Sequence, residues 1–290
     1  MKNWKEKGMQ GVFLLAACAS ILAVALICIF LFANGIPAMK EIGFLDFLTG
    51  QTWRPGNNIY GILPFILGSI YVTAGAIIIG VPIGIFTSVF MAHYCPKKIY
   101  PVLKSATELL AGIPSVVYGF FGLVVIVPLV REYINTHGIR GNGGNSMLAA
   151  SIILGIMILP TIIGVTESNM RSVPEQYYEG SLALGATKER TIFRIVIPAA
   201  KSGVIAGVVL GIGRAIGETM AVIMVAGNQP QMPQGIFRGL RTMTTNIVME
   251  MGYAADLHRE ALIATAVVLF VFILIINLCV SLLNRRNDND

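Results

Sequence analysis

The sequence is poor in charge. Only 12% of its 290 residues are Asp, Glu, Lys or Arg, whereas 55% are hydrophobic, and the mean hydropathy is +0.75. Soluble domains carry about 25% charged residues, so a soluble fold of this length would lack the polar surface it needs. The scarcity of charge therefore excludes an ordinary soluble domain and predicts a membrane protein.

Groups that support catalysis or metal binding are also scarce. The chain has three histidines, which are dispersed, and four cysteines, most of them inside apolar runs: Cys18, Cys28, Cys95 and Cys279. Neither set has metal-ligand spacing, and no nucleophile–base arrangement is visible. We therefore expect no disulfide framework, no metal site and no catalytic centre. The net charge of +6 comes from basic residues scattered between apolar blocks, which argues against nucleic-acid binding.

A phosphate-binding loop of the form G-x-x-x-x-G-K-[ST] is missing from the sequence. We therefore expect that this chain binds no ATP in that way and holds no cofactor of its own. If it transports a solute, the energy must come from another polypeptide or from an ion gradient.

Long hydrophobic runs dominate what is present. A bilayer core about 30 Å thick needs roughly 20 apolar residues in a helix. Six stretches meet this requirement: 11–33, 64–92, 109–130, 147–167, 203–226 and 261–283. The first is longer than the apolar core of a signal peptide and is kept as a membrane helix. The predicted fold class is an all-α polytopic membrane protein with six transmembrane helices. It divides into an N-terminal helix with an outward loop, 1–60, and a five-helix core, 61–290.

The distribution of basic residues predicts the orientation. If the N-terminus is cytoplasmic, thirteen Lys and Arg residues lie in inner segments and seven in outer segments, and Arg214 lies within a span. Cytoplasmic loops of membrane proteins carry the excess of basic residues, so both termini are predicted to be cytoplasmic. Glu108 and Glu167, at the inner ends of the third and fourth spans, are interpreted as interfacial.

The longest inner segment, 168–201, has the pattern of a helical hairpin. Its apolar residues recur at helical spacing in two short stretches, Pro174 precedes an acidic first turn, and Gly185 can end the first helix in a left-handed conformation. Periodicity alone leaves two interpretations open. The hairpin either grips a partner protein or lies on the lipid headgroups, where basic residues are favoured.

The residues of this hairpin resemble a known signature. Glu179-Gly180-Ser181, then Gly185, then Ile195-Val196-Ile197-Pro198 match the pattern E-A-A-x3-G-x9-I-x-L-P of permease subunits of ATP-binding-cassette importers. Gly180 and Ser181 replace the two alanines, and Ile197 replaces the leucine. The resemblance implies that 168–201 is a cytoplasmic coupling hairpin whose motif residues dock into a separate ATPase: Glu179, Gly180, Ser181, Gly185 and Pro198.

Three further stretches narrow the resemblance. WRPGNNIYGILPFILGSI (53–70), ELLAGIPSVVYGFFGLVVIVP (108–128) and GIGRAIGETMAV (211–222) look like the phosphate-specific PstC/PstA permeases, and more like PstC. The family implies the type I importer permease fold in a prokaryotic inner membrane. Its implied partners are a second related permease, two ATPase subunits that use ATP, and an extracytoplasmic phosphate-binding protein.

Other functions remain as alternatives at this stage. Within the importer class, the runner-up is a permease for molybdate, sulfate or phosphonate. An ion-coupled secondary transporter is a second class, although the docking hairpin argues against it. A role in reporting phosphate status is compatible with transport.

The GIGRAIGETMAV stretch places two opposite charges in an apolar span. Gly207, Gly211, Arg214 and Glu218 follow at helical spacing on one predicted face, and Gly203 extends a G-x-x-x-G repeat for close helix approach. One arginine at mid-membrane costs about 2.5–3.5 kcal/mol on insertion scales, so a counter-ion is expected. Glu218, one turn away, is the predicted partner. The pair is either a structural lock or part of the substrate pathway, with Arg214 as a phosphate ligand.

Two more arginines lie near the predicted outer mouth. Arg238 and Arg241 are three residues apart and are followed by several threonines. They are interpreted either as an outer anion funnel or as anchors at the headgroups.

Overall fold

The computed structural model describes residues 2–287, so residues 1 and 288–290 of the predicted domain ranges lie outside it. Within that part of the chain the fold is helical, with one small β-hairpin. The first helices are α1 (Lys2–Ile42), α2 (Phe44–Thr49), α3 (Leu63–Val89), α4 (Tyr100–Gly112), α5 (Ser115–Phe121), α6 (Val127–Thr136) and α7 (Met147–Arg171). The others are α8 (Glu175–Ala183), α9 (Lys188–Thr191), α10 (Ile197–Ala199), α11 (Lys201–Gly217), α12 (Met220–Val225), α13 (Met243–Glu250) and α14 (Asp256–Asn287).

Five helical segments are long and apolar enough to cross a membrane. They are Gly8–Ile42, Leu63–Tyr94, Ser115–Thr136, Met147–Arg171 and Asp256–Cys279. A sixth is obtained when Lys188–Ala199 and Lys201–Gly217, which meet at an angle of 71°, count as one bent segment. With this bent segment counted as one span, the prediction of an all-α protein with six membrane helices is confirmed.

The third predicted span, 109–130, is not continuous. Helix α4 ends at Gly112, and a new helical segment begins at Ser115. Pro114 explains the break, because it lacks an N–H and disfavours helical geometry at the preceding residue. Ile113 is indeed extended, with φ −68° and ψ 126°. The third membrane segment is therefore Ser115–Thr136, and α4 is a separate helix with no buried residue.

The fifth predicted span, 203–226, is also interrupted. Helix α11 ends at Gly217, Glu218 is extended with φ −70° and ψ 132°, and α12 begins at Met220. No proline causes this break. Instead, Glu218 Oε1 accepts a hydrogen bond from Ala221 N at 3.1 Å, and Thr244 Oγ1 donates to the Glu218 carbonyl oxygen at 3.1 Å. Both contacts satisfy groups that a helix end leaves free.

Helix α7 is the centre of the bundle, and glycines on two neighbours let it pack closely. A Cβ added at Gly80 of α3 would lie 2.8 Å from the carbonyl oxygen of Gly155 in α7. On the other side, a Cβ at Gly207 of α11 would lie 2.9 Å from Thr166 Oγ1, and one at Gly211 would lie 3.0 Å from Ile162. The predicted close approach at the G-x-x-x-G repeat is confirmed, with α7 as the facing helix.

The N-terminal and C-terminal helices form a second packing group. The last third of α1 packs against α14, with Phe32 and Phe270 in an edge-to-face contact at 6.1 Å. The β-hairpin, Trp53–Arg54 paired with Ile59–Tyr60, covers the end of this group. Apolar side chains from Met9 to Phe30 are exposed along the rest of α1, which is the surface expected of a helix in lipid.

Candidate substrate pathway and coupling surface

Arg214 lies in the last turn of α11 and is half-buried. Its guanidinium Nη1 donates at 3.4 Å to Oγ1 of Thr161, which is the residue after Pro160 in α7. A hydroxyl is neutral, so this contact leaves the arginine charge uncompensated. Arg214 therefore keeps donors for a further anionic group.

The predicted ion pair between Arg214 and Glu218 is not formed. Among the side chains that the structure describes, every ion pair involves Glu167 or Glu250. The one-turn spacing fails because the helix ends at Gly217 and Glu218 follows in extended geometry. The Glu218 carboxylate caps α12 instead. The two residues still flank one break in the fifth span.

The break in the fifth span adjoins the break in the third. A Cβ added at Gly119 of α5 would lie 2.9 Å from the Cα of Ala221 in α12, so these two helices pack at close range one turn or less from their starts. Tyr118 OH bridges the break in the third span by donating to the Leu110 carbonyl oxygen at 2.8 Å. Both breaks lie at an end of a membrane segment, Ser115–Thr136 and Lys201–Gly217, and non-helical backbone in a membrane protein is tolerated where it is buried in protein or lines a water-filled cavity. The two adjoining breaks are thus the candidate substrate pathway.

The structure does not bring Arg238 and Arg241 together as a funnel. Arg238 is half-buried and donates to the side chain of Gln234. Arg241 is buried, with 9% of its surface exposed, and its Nη1 donates to Glu250 Oε1 at 2.6 Å. It also donates to the Asn228 carbonyl oxygen and to Asn246 Oδ1. The charge of Arg241 is neutralised inside the protein, so its geometry is that of a structural residue.

Glu250 is a polar centre that the sequence reasoning missed. Besides the Arg241 contact, its Oε2 accepts from Trp53 Nε1 at 2.8 Å and lies 2.9 Å from His258 Nε2. These partners come from the β-hairpin, the segment before α13 and the first turns of α14. They are far apart in sequence, and no local motif indicates that they meet.

Glu167 forms a second such centre at the end of α7. It is 1% exposed, accepts from Tyr100 OH at 2.9 Å and Lys104 Nζ at 3.0 Å, and is also paired with Arg171. The hydrogen bond to Glu167 raises the pKa of Lys104, outside the membrane segments, above its usual value. Glu167, which was interpreted as interfacial, lies near the end of α7, and its buried contacts hold α4 against α7.

The coupling hairpin has the predicted two-arm form. Helix α8 ends in a Schellman motif, in which Gly185 N donates to the Leu182 carbonyl oxygen and Ala186 N donates to the Ser181 carbonyl oxygen. Gly185 has a φ of +82°, as this turn requires. The second arm begins at Thr187, which caps α9, and it contains a π-helical turn before α10.

Most motif residues of the hairpin are exposed. Glu179, Gly180, Gly185 and Pro198 are exposed, whereas the Ser181 hydroxyl lies 2.8 Å from Thr191 Oγ1 and joins the two arms. Leu184 is 91% exposed at the tip. Large exposed apolar side chains rimmed by polar groups are typical of a protein-binding surface.

Residues 80–289 match the family described as the binding-protein-dependent transport system inner membrane component. The chain belongs to this family. As a member, it is a transport component and not an enzyme, and it is a multi-pass membrane protein.

Curated relatives extend the match to most of the chain. The probable ABC transporter permease protein YqgH of Bacillus subtilis is 39% identical, covering 95% of this chain and 91% of that protein. The phosphate transport system permease protein PstC of Mesorhizobium japonicum is 37% identical, covering 89% and 84%. The probable PstC of Methanocaldococcus jannaschii is 31% identical, covering 86% and 84%.

Solved structures show the fold of this family member. The MetNI methionine ABC transporter in an inward-facing conformation contains a chain that aligns with a TM-score of 0.61 at 17% identity, covering 81% of this chain and 99% of that one. A bacterial alginate ABC transporter in complex with an alginate-bound periplasmic protein aligns with a TM-score of 0.57 at 15% identity, covering 93% and 94%. The ABC importer permease fold, predicted as type I, is confirmed.

Proposed function

We propose that this protein is the membrane-spanning permease subunit of an ATP-driven phosphate importer, and that the adjoining breaks at Ile113–Pro114 and Glu218–Thr219 line its substrate pathway. The observation that carries this proposal is Arg214, a half-buried arginine beside the break, whose one hydrogen-bond partner among the described side chains is a neutral hydroxyl. The relatives named as phosphate transport permeases support phosphate as the substrate.

Arg214 has the chemistry of a phosphate ligand. A guanidinium presents a planar fork of N–H donors that matches two oxygens of a phosphate group. Because no carboxylate in the described part of the chain pairs with Arg214, an arriving anion meets an uncompensated positive charge. A charge of this kind inside a membrane protein is costly and marks a functional site by default.

Glu218 is proposed to add selectivity on the other side of the break. Its carboxylate can accept a hydrogen bond from the hydroxyl of hydrogen phosphate. Sulfate is fully deprotonated at neutral pH and has no proton to donate. The contact from Ala221 N holds the Glu218 carboxylate near the start of α12, where it remains part of the interrupted span.

The remaining parts of the transporter are proposed as partners. Without a phosphate-binding loop, the chain depends on the two ATPase subunits of the complex, which use ATP, and one of them docks on the coupling hairpin of this chain through the surface around Leu184 and Glu179. A second related permease completes the pathway, and an extracytoplasmic phosphate-binding protein delivers the substrate. The excess of basic residues supports an orientation with both termini cytoplasmic.

Replacement of Arg214 by lysine tests the pathway. Arg214→Lys keeps the charge and loses the bidentate fork, so we expect phosphate uptake to fall by about tenfold, equivalent to one good charge-assisted contact, while assembly is unchanged. The matched control is Arg131→Lys, because Arg131 is exposed and donates only to the Gly143 carbonyl oxygen. The measurement is uptake of radiolabelled phosphate, normalised to assembled complex in the membrane. Full uptake by Arg214→Lys would assign Arg214 a structural role.

A further inference from the structure

The cytoplasmic end of the second span is held by both arms of the coupling hairpin. From α8, the Tyr178 ring stacks on the imidazole of His93, with centroids 6.1 Å apart and planes at 13°. From the second arm, Lys188 Nζ donates to the His93 carbonyl oxygen at 2.8 Å and lies 4.5 Å from the centroid of the Tyr94 ring. Both arms of the hairpin therefore contact His93, one through its imidazole ring and the other through its carbonyl oxygen.

The end of this span is shaped to receive the lysine. Residues Phe90–Tyr94 form a π-helical turn, and Cys95 is extended, so the chain leaves the helix there. The last carbonyl groups of a helix have no partner within it, and a cation near them is favoured by the helix dipole. Lys188 supplies both the hydrogen bond and the charge.

The imidazole of His93 is fixed by stacking. Its Nε2 is shielded from solvent and has no hydrogen-bond partner within the described part of the chain. A cavity of about 370 Å³ lies beside the ring and is bounded by Met170, Val173 and Tyr178. Arg171, at the end of α7, also donates to the Met91 carbonyl oxygen at 2.8 Å. Arg171, which precedes the hairpin, and both arms of the hairpin thus contact a single π-helical turn, Phe90–Tyr94.

This attachment is continuous with the substrate pathway. The second span is an unbroken helical segment, Leu63–Tyr94, and packs against α7 through Gly80 and Gly84. Thr161 of α7 contacts Arg214. Packed helices without an intervening loop or cavity transmit a displacement more directly than the broken third and fifth spans can.

We propose that His93 is a positioning residue that fastens the coupling hairpin to the second span, so that the hairpin, the second span and α7 move as one body during transport. The proposal rests on the proposed function, in which an ATPase acts on this hairpin. What the proposal adds is the residue at which the hairpin is attached to the second span, His93. A displacement of the hairpin reaches the pathway through His93, and not through the 71° bend at Ala200 between α10 and α11.

A cross-linking rescue tests the attachment. His93→Cys and Tyr178→Cys are combined in a chain whose native cysteines are replaced, within the complete transporter. Without cross-linker, the stacking is lost, and phosphate uptake per ATP hydrolysed should fall at least about fivefold, the lower end of ordinary coupling between sites. A short bifunctional thiol cross-linker should restore uptake, because it re-joins two parts that move together.

The controls separate the possible failures. Each single-cysteine chain receives the same reagent, and co-purification of the ATPase is measured for every variant. Lys188→Met, which removes the ammonium and retains most of the apolar stem, should show a smaller loss of the same kind. Unchanged uptake in the double variant, or uptake that cross-linking abolishes or fails to restore, would overturn the attachment. If the parent chain itself binds no ATPase or takes up no phosphate, the proposed function fails instead.

Discussion

Arg214 and Arg241 are the same residue type, and the structure places them in different electrostatic environments. Arg241 is buried and paired with Glu250, whereas the side-chain partner of Arg214 within residues 2–287 is the Thr161 hydroxyl. The sequence identified Arg214 correctly as a charge inside an apolar span. It also grouped Arg241 with Arg238, as an outer funnel or as headgroup anchors, because the partners of Arg241 are distant in the chain and become visible only in three dimensions.

The buried pair makes a prediction about stability. Glu250→Gln leaves the Arg241 guanidinium without a compensating charge, and such a break typically costs about 3–5 kcal/mol. We expect a lower melting temperature and less assembled protein. Arg214→Gln is the matched comparison, because it breaks no ion pair within the described side chains and should leave the melting temperature nearly unchanged. The measurement is thermal unfolding of the purified membrane protein. Equal effects of the two substitutions would show that the Glu250 centre is not structural.

The helix end at Glu218 is a feature that the residue spacing did not predict. The residues from Gly207 to Glu218 fit a single helical face, so the spacing predicted an ion pair one turn long. Two hydrogen bonds, from Ala221 N and from Thr244 Oγ1, stabilise a helix end that the apolar pattern does not show. Thr244 is 26 residues downstream of Glu218, so no local sequence pattern predicts this hydrogen bond.

Among the elements, the hairpin was predicted most completely. Pro174, Gly185 and the apolar spacing determine its first helix and turn through local chemistry, and the structure places α8 at Glu175–Ala183 with Gly185 at φ +82°. The breaks in the third and fifth spans were missed because the hydrophobic runs continue across them. Pro114 was a visible signal for the first break, whereas tertiary contacts determine the second.

The turn of the hairpin offers a test with internal controls. Gly185→Ala places a side chain in the left-handed region, which costs about 1–2 kcal/mol, and co-purification of the ATPase should decrease. Gly185→Asn should be better tolerated, since asparagine also adopts this conformation. Gly180→Ala restores the alanine that the E-A-A signature has at this docking position, and nothing lies within 4 Å of the added Cβ, so this variant should keep full binding and strengthen α8. If Gly185→Ala behaves like Gly180→Ala, the left-handed turn is not needed for coupling.

At the scale of the whole molecule, close-packed glycines and two buried carboxylates hold different parts of the fold together. The glycines of α3 and α11 that face α7 join the second, fourth and fifth spans. Glu250 joins the β-hairpin, α13 and α14 at one end, and Glu167 joins α4 to α7 at the other. The number of spans followed from hydrophobic length, which is a local property. The packing order around α7 did not, because it depends on which surfaces of different helices are complementary.

The central claim is that this chain forms the phosphate pathway of an ATP-driven importer. The most direct measurement is uptake of radiolabelled phosphate into proteoliposomes that contain this permease with its partner permease and ATPases, with the binding protein added outside. We expect uptake that requires ATP, is unaffected by excess sulfate, and falls by about tenfold when the Arg214→Lys variant replaces the native chain. Uptake that needs only a proton gradient, or that prefers another oxyanion to phosphate, would contradict the account.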